Sequence, residues 1–212
     1  MTEALLYAAF LALDLTGALP AVSTILKFVS IVLVFLTGLS AIRTTDGRTV
    51  AAALACTVAA DVFLLVLNQY YLAGVALFLC VQAIYTVRLC GLSGANRTLH
   101  LTARVMLALF AAFFLSSRFG RLEALAGAYI IWFFMNLAQS IALAAQLRTN
   151  RTRLFAAGLA LFFLCDLCVG VHNLPQNALS TFVDIAMWAF YLPGQVLIAL
   201  STDCFGGLRD ES

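Results

Sequence analysis

Apolar residues run in long, almost unbroken stretches along this chain, and polar residues gather in the short breaks between them. Eight stretches read as helices, at roughly 4–20, 21–41, 50–67, 70–90, 101–117, 123–147, 154–172 and 179–201. Most reach the ~20 residues that a bilayer core requires of a helix, and the first is short. Backbone groups in lipid must be bonded internally, and runs this continuous point to helices rather than barrel strands. The expected fold class is all-α: one polytopic bundle of eight transmembrane helices that occupies residues 1–212 as a single domain.

Composition sharpens this picture. The chain is 64% apolar with a mean hydropathy of +1.03, and only 10% of its residues are charged, which excludes a soluble globular domain. The first span lacks a basic flank and carries Glu3 before it and Asp14 within it, so it reads as a retained helix rather than a signal peptide. Arginine gives the orientation. Arg43, Arg48, Arg88, Arg97, Arg104, Arg148, Arg151, Arg153 and Arg209 fall on one side, against Arg118 and Arg121 on the other. Positive-inside bias then puts both termini in the cytoplasm, and the plasma (inner) membrane is the expected location. A net charge of +2 gives no reason to expect a nucleic-acid partner, and no phosphate loop or dinucleotide fingerprint is present. Five of the six cysteines lie in or at the ends of helices and the sixth, Cys204, in the tail. They read as small buried apolar residues, Cys165 and Cys168 included. With only His100 and His172 available, no metal site is expected.

Against this background the polar residues inside the spans stand out. Asp61 is followed by Asn68 and Asp166 by Asn173, each pair seven residues apart, about two helical turns, so each Asp and its Asn are expected to share a face. Asp14, Lys27, Asp61, Asp166 and Asp184 all fall about 8–9 Å below the non-cytoplasmic surface, at 1.5 Å per residue. Facing lipid, five such charges would cost on the order of 12–17 kcal/mol, so the helices must converge to let them meet one another or water. Asp184, Trp188, Tyr191 and Gln195 form one stripe on the last span. Gln82 and Tyr85 share a face of the fourth, and Tyr129, Trp132, Asn136 and Gln139 a face of the sixth. Pro193-Gly194 should kink or loosen the eighth span. The recurring Asp-x6-Asn element, on spans three and seven, suggests two four-helix halves in one orientation, a 4+4 parallel repeat. The plainer alternative is that these groups only glue helices together, at about 0.6–2 kcal/mol each.

At these residues the chain resembles the YhhN-like lysoplasmalogenase family of eight-span membrane proteins. The resemblance runs through Lys27, Ala60-Asp61-Val-Phe-Leu-Leu, Tyr71-Leu-Ala-Gly74 and Gln82-Ala-Ile-Tyr85. It resumes at Leu161-Phe-Phe-Leu-Cys-Asp166 and ends with Tyr191-Leu-Pro-Gly-Gln195-Val-Leu-Ile. The family usually has Gly where this chain has Ala60, Ser at Cys165 and His at Gln82, and a glutamine cannot shuttle protons. The resemblance implies cofactor-free hydrolysis of the vinyl ether bond of lysoplasmalogens, with a lysophospholipid substrate taken from the bilayer. Asp61 and Asp166 would be the catalytic acid and base. Lys27 would hold one of them ionised, and Tyr85, Tyr191 and Gln195 would orient water or the head group. Asn68, Gln82, Asn173 and Asp184 complete the expected supporting set. The same buried acids would also serve a proton-coupled small-solute transporter. A catalytically silent lipid-binding protein is the third reading.

Overall fold

The computed structural model describes residues 2–16, 19–173 and 180–202, and Cys204 and Arg209 lie outside the described residues. The described chain consists of α1 (Thr2–Thr16), α2 (Pro20–Leu39), α3 (Thr45–Asp61), α4 (Tyr71–Ser93), α5 (Arg97–Ser116), α6 (Arg121–Leu147), α7 (Asn150–His172) and α8 (Ser180–Leu200). A five-residue π-helical segment, Val62–Val66, continues α3. Seven of these helical segments are long and apolar enough to cross a membrane, and α1 is a shorter apolar helix. The protein is an all-helical, multi-pass membrane protein.

Helix ends follow local chemistry. Pro20 opens α2, where its missing N–H costs nothing. Thr44, Asn96 and Thr149 each accept a hydrogen bond from the backbone N–H three residues on, capping α3, α5 and α7. Gly94, with φ 68°, ends α4 in the left-handed conformation.

Packing neighbours close into a ring in the order α2, α3, α4, α6, α7, α8 and back to α2. Two helices sit outside it: α1 against α2 and α8, and α5 against α4 and α6. The outer face of α5 presents Phe110, Phe113 and Phe114, which suits a surface in lipid. Within the ring α3 and α7 stand opposite each other, so residues on their inner faces converge.

The eighth helix carries Pro193 in its interior and is helical on both sides of it. Beside the proline, a Cβ on Gly158 of α7 would sit 2.8 Å from the Gly194 carbonyl oxygen, so the two backbones pack directly against each other. Small residues at such a crossing let helices gain close van der Waals contact.

One end of the ring is pinned by charge. Arg88, 3% exposed, places Nε and Nη2 2.8 and 2.9 Å from the two carboxylate oxygens of Asp46. It also donates to the hydroxyl and carbonyl of Ser201 and lies over the Phe155 ring at 4.2 Å. Arg151 reaches the same carboxylate at 2.9 Å. One bidentate guanidinium thereby ties α3 and α4 to the end of α8 and the start of α7.

Two stability predictions follow from these contacts. Gly158→Val should destabilise the bundle by about 1–3 kcal/mol, the usual cost of overpacking. The check is thermal melting in detergent followed by size-exclusion chromatography, where an unchanged melting temperature would contradict direct α7–α8 backbone contact. Asp46→Asn should cost more, about 3–5 kcal/mol, because it leaves Arg88 buried without its counter-charge. The same melting assay reads it, and a variant as stable as the parent would show that Arg88 does not depend on this partner.

Candidate functional site

Asp61 and Asp166 lie on the two helices that face each other across the ring. Asp61 is the last residue of α3 and is 5% exposed. The Tyr191 hydroxyl of α8 donates to its Oδ2 at 2.7 Å. Asp166 of α7 is partly buried and accepts a 2.5 Å hydrogen bond from the Tyr129 hydroxyl of α6. The two acids are linked through packing: the ring of Phe162, one turn before Asp166, lies 5.5 Å from that of Tyr191, the donor to Asp61. Each acid has one phenol donor, and the two phenols come from different neighbouring helices.

The walls are aromatic. Phe162, one turn before Asp166, packs against Phe78, Phe133 and Tyr191 with ring centroids 5.6, 5.0 and 5.5 Å away. Tyr129 in turn packs against Phe78 and Phe133 at 6.0 and 5.8 Å. Such walls exclude bulk water and hold both phenol rings in place, so the hydroxyl positions are set by packing as well as by the carboxylates.

Beneath the acids lies a set of buried amides and hydroxyls. Gln82, Tyr85 and Gln195 are each 0% exposed. Among the described residues, Gln82 Nε2, the Tyr85 hydroxyl and both amide atoms of Gln195 have no hydrogen-bond partner in the protein. Leaving such groups unpaired costs about 1–3 kcal/mol each, so they are the ones available to bind water or a polar substrate group. The other end of Gln82 is fixed, because its Oε1 accepts from Asn136 Nδ2 at 2.9 Å. Asn136 Oδ1 accepts from Thr86 and from Arg104 at 2.9 and 3.1 Å, and Trp132 donates to the Thr86 hydroxyl. Arg104 also reaches Gln139 at 2.5 Å and His100 Nδ1 at 3.1 Å. This network fixes the Oε1 end of Gln82, so its NH2 group is the end turned away from Asn136.

Several expected members lie elsewhere. Asn68 does not share a face with Asp61. The π-helical turn after Asp61, marked by a 2.8 Å bond from Leu67 N–H to the Val62 carbonyl, changes the register. Asn68 then leaves the helix at φ 49°, exposed, and accepts from the Tyr71 hydroxyl at 2.8 Å. Asn173 is exposed just past the end of α7 and turns back to donate to the Val169 carbonyl. Lys27 pairs not with either catalytic candidate but with Asp14, at 2.8 Å, which brings α1 and α2 together. Asp184 pairs with His172 at 2.7 Å, half-exposed at the rim. The five intramembrane charges therefore do not meet as one group: Asp14 and Lys27 form one pair, Asp61 and Asp166 the central one, and Asp184 a third with His172.

Sequence reasoning placed Tyr129 on a polar-aromatic stripe but did not identify it as the partner of Asp166. Nor did it separate Arg88 and Arg104 from the loop arginines, although both are 3% exposed. The available signal was position: each falls inside a helix, five and seven residues from its nearer end.

In chemical terms, two carboxyls in a largely dry, aromatic enclosure, each oriented by a phenol, can divide the work of proton donor and proton acceptor. No curated protein and no solved structure matches the chain. The sequence profile of the YhhN family does match, over residues 22–202, which takes in α2 to α8 and both acids. With its central acids, their phenol donors and all seven long helices inside that match, this chain belongs to the YhhN family.

Proposed function

We propose that the protein is an intramembrane hydrolase that cleaves the vinyl ether bond of lysoplasmalogens, releasing a fatty aldehyde and a glycerophospho-alcohol. The single observation that carries this reading is the pair Asp61 and Asp166, on opposite helices and each bonded to a tyrosine hydroxyl. One carboxylic acid transfers its proton to the vinyl carbon distal to the ether oxygen, giving an oxocarbenium ion. The other carboxylate stabilises that cation and takes a proton from the attacking water. The resulting hemiacetal collapses, its hydroxyl proton is lost, and the glycerol oxygen leaves as an alcohol. Two carboxyls on either side of an oxocarbenium ion are the arrangement used in glycoside hydrolysis. Tyr191 and Tyr129 hold the carboxyls in place. Gln195, Tyr85 and the free NH2 of Gln82 offer unpaired groups to the water and the glycerol hydroxyls. The glutamine does not carry protons; it donates a hydrogen bond. In this reading the eight helices cross the plasma (inner) membrane with both termini in the cytoplasm, and the substrate enters laterally from lipid.

A second reading, a proton-coupled transporter, is supported by helix neighbours. Shifting each helix number by four exchanges the pair α2 and α8 with α6 and α4, and α1 and α8 with α5 and α4. Both members of each exchange are in contact, as a 4+4 parallel repeat requires, and such repeats build some transporters.

Aldehyde release from lysoplasmenyl lipid by the detergent-purified protein separates the two. The hydrolase reading expects turnover in the parent and a loss of 10²–10⁴-fold or more in Asp61→Asn and in Asp166→Asn, the range for a general acid or base. No turnover, together with substrate-dependent proton flux in liposomes, would replace it with the transporter. Tyr129→Phe and Tyr191→Phe should lower kcat by roughly 10-fold each, the scale of one hydrogen bond to a charged group. Steady-state kinetics gives the answer, and kcat within twofold of the parent in both variants would show that the phenols do not position the acids.

A further inference from the structure

The Lys27–Asp14 pair has features that an ion pair between helices does not need. It lies among aromatic rings, with Lys27 Nζ 4.8 Å from the Trp188 ring centroid and 5.9 Å from that of Phe10. The pair is not sealed: the side chains keep 13% and 18% of their surface exposed. Ser23 donates to the second oxygen of Asp14 at 2.5 Å, which fixes the carboxylate. Trp188 then leads to the acids, because its ring packs 5.4 Å from that of Tyr191, whose hydroxyl is 2.7 Å from Asp61. A partly accessible cation and anion thus stand two aromatic rings, Trp188 and Tyr191, away from Asp61.

We propose that Lys27, Asp14 and the indole of Trp188 form a head-group subsite for a zwitterionic phosphodiester that ends in an amine. This rests on the lysophospholipid reading above and names the part of the substrate that the acids do not touch. The charge balance selects the class. An anionic head on Lys27 would leave Asp14 in a poorly hydrated setting without a counter-charge, and a neutral head would gain nothing from either residue. A zwitterion supplies both opposite charges at once: phosphate to Lys27, ammonium to Asp14 and the indole face. The aromatic path also gives a direction: Trp188, beneath the ammonium, packs on Tyr191, the donor to Asp61.

The test is equilibrium binding of non-hydrolysable 1-O-alkyl probes to the full chain in maltoside micelles. Three probes differ only in the head: the glycerophosphocholine, the glycerophosphate and the bare alkylglycerol. The parent should bind the phosphocholine at least 10-fold tighter than the other two. Lys27→Gln should lower phosphocholine affinity to that of the alkylglycerol while alkylglycerol binding stays within twofold, and Lys27→Arg should keep the preference. Where Lys27→Gln does not fold, Trp188→Leu replaces it, with the phosphocholine preference reduced at least fivefold. A parent that does not distinguish the three heads overturns the proposal. So does a variant that loses all three equally, which would mark the pair as a pin between α1 and α2. Aldehyde release plays no part in this assay. A catalytically silent protein with Lys27-dependent phosphocholine binding would sink the hydrolase reading and keep this one.

Discussion

Two carboxyls inside a membrane bundle are the constraint that the rest of this structure answers. Each carries a cost of several kcal/mol at bilayer depth unless it is given donors and shelter. Asp61 and Asp166 receive one phenol each, and those phenols sit on α8 and α6. The ring of six helices is what lets a donor on one helix reach an acid on its neighbour. Phe162 and Phe133 then pack the tyrosine rings, so the geometry of the acids depends on the aromatic core rather than on loops.

Below the acids, polar groups are handled in two different ways. The Arg88–Asp46 pair is fully matched, with a bidentate contact, backbone support from Ser201 and a ring beneath it. It closes one end of the ring and needs nothing more. The Arg104 network ends differently. Its partners are neutral oxygens and a histidine, and it passes orientation through Asn136 to Gln82, whose NH2 has no protein acceptor. A saturated network rigidifies, whereas one that stops near the two central acids without a full set of partners keeps hydrogen-bonding capacity for a ligand.

Much of this was legible in the sequence. Long apolar runs specify the seven spanning helices because a segment that is apolar on every face satisfies its backbone in lipid as a helix rather than as a barrel strand, and the residues that disobey the run, Asp61 and Asp166, stand out by their cost. Partner identity is another matter. Periodicity put Tyr129 and Tyr191 on helix faces, but only tertiary packing decides which acid each face meets. The spacing from Asp61 to Asn68 misled for a local reason: counting turns assumes 3.6 residues throughout, and the π-helical turn at Val62–Val66 breaks that assumption. Arg88 and Arg104 were missed for another, since they were grouped with the loop arginines although each lies more than a turn inside its helix.

The order of helices around the ring has a consequence for biogenesis. The seam between α2 and α8 joins an early helix to the last one, so the ring closes only when α8 has been made. Until then Asp61 lacks Tyr191 and Arg88 lacks Ser201. A chain stalled after α7 would hold an acid and an arginine in the bilayer with part of their hydrogen bonding missing. Surveillance that senses unpaired polar groups in lipid could tell such a chain from a finished one. Completion of the bundle and completion of the site are the same event.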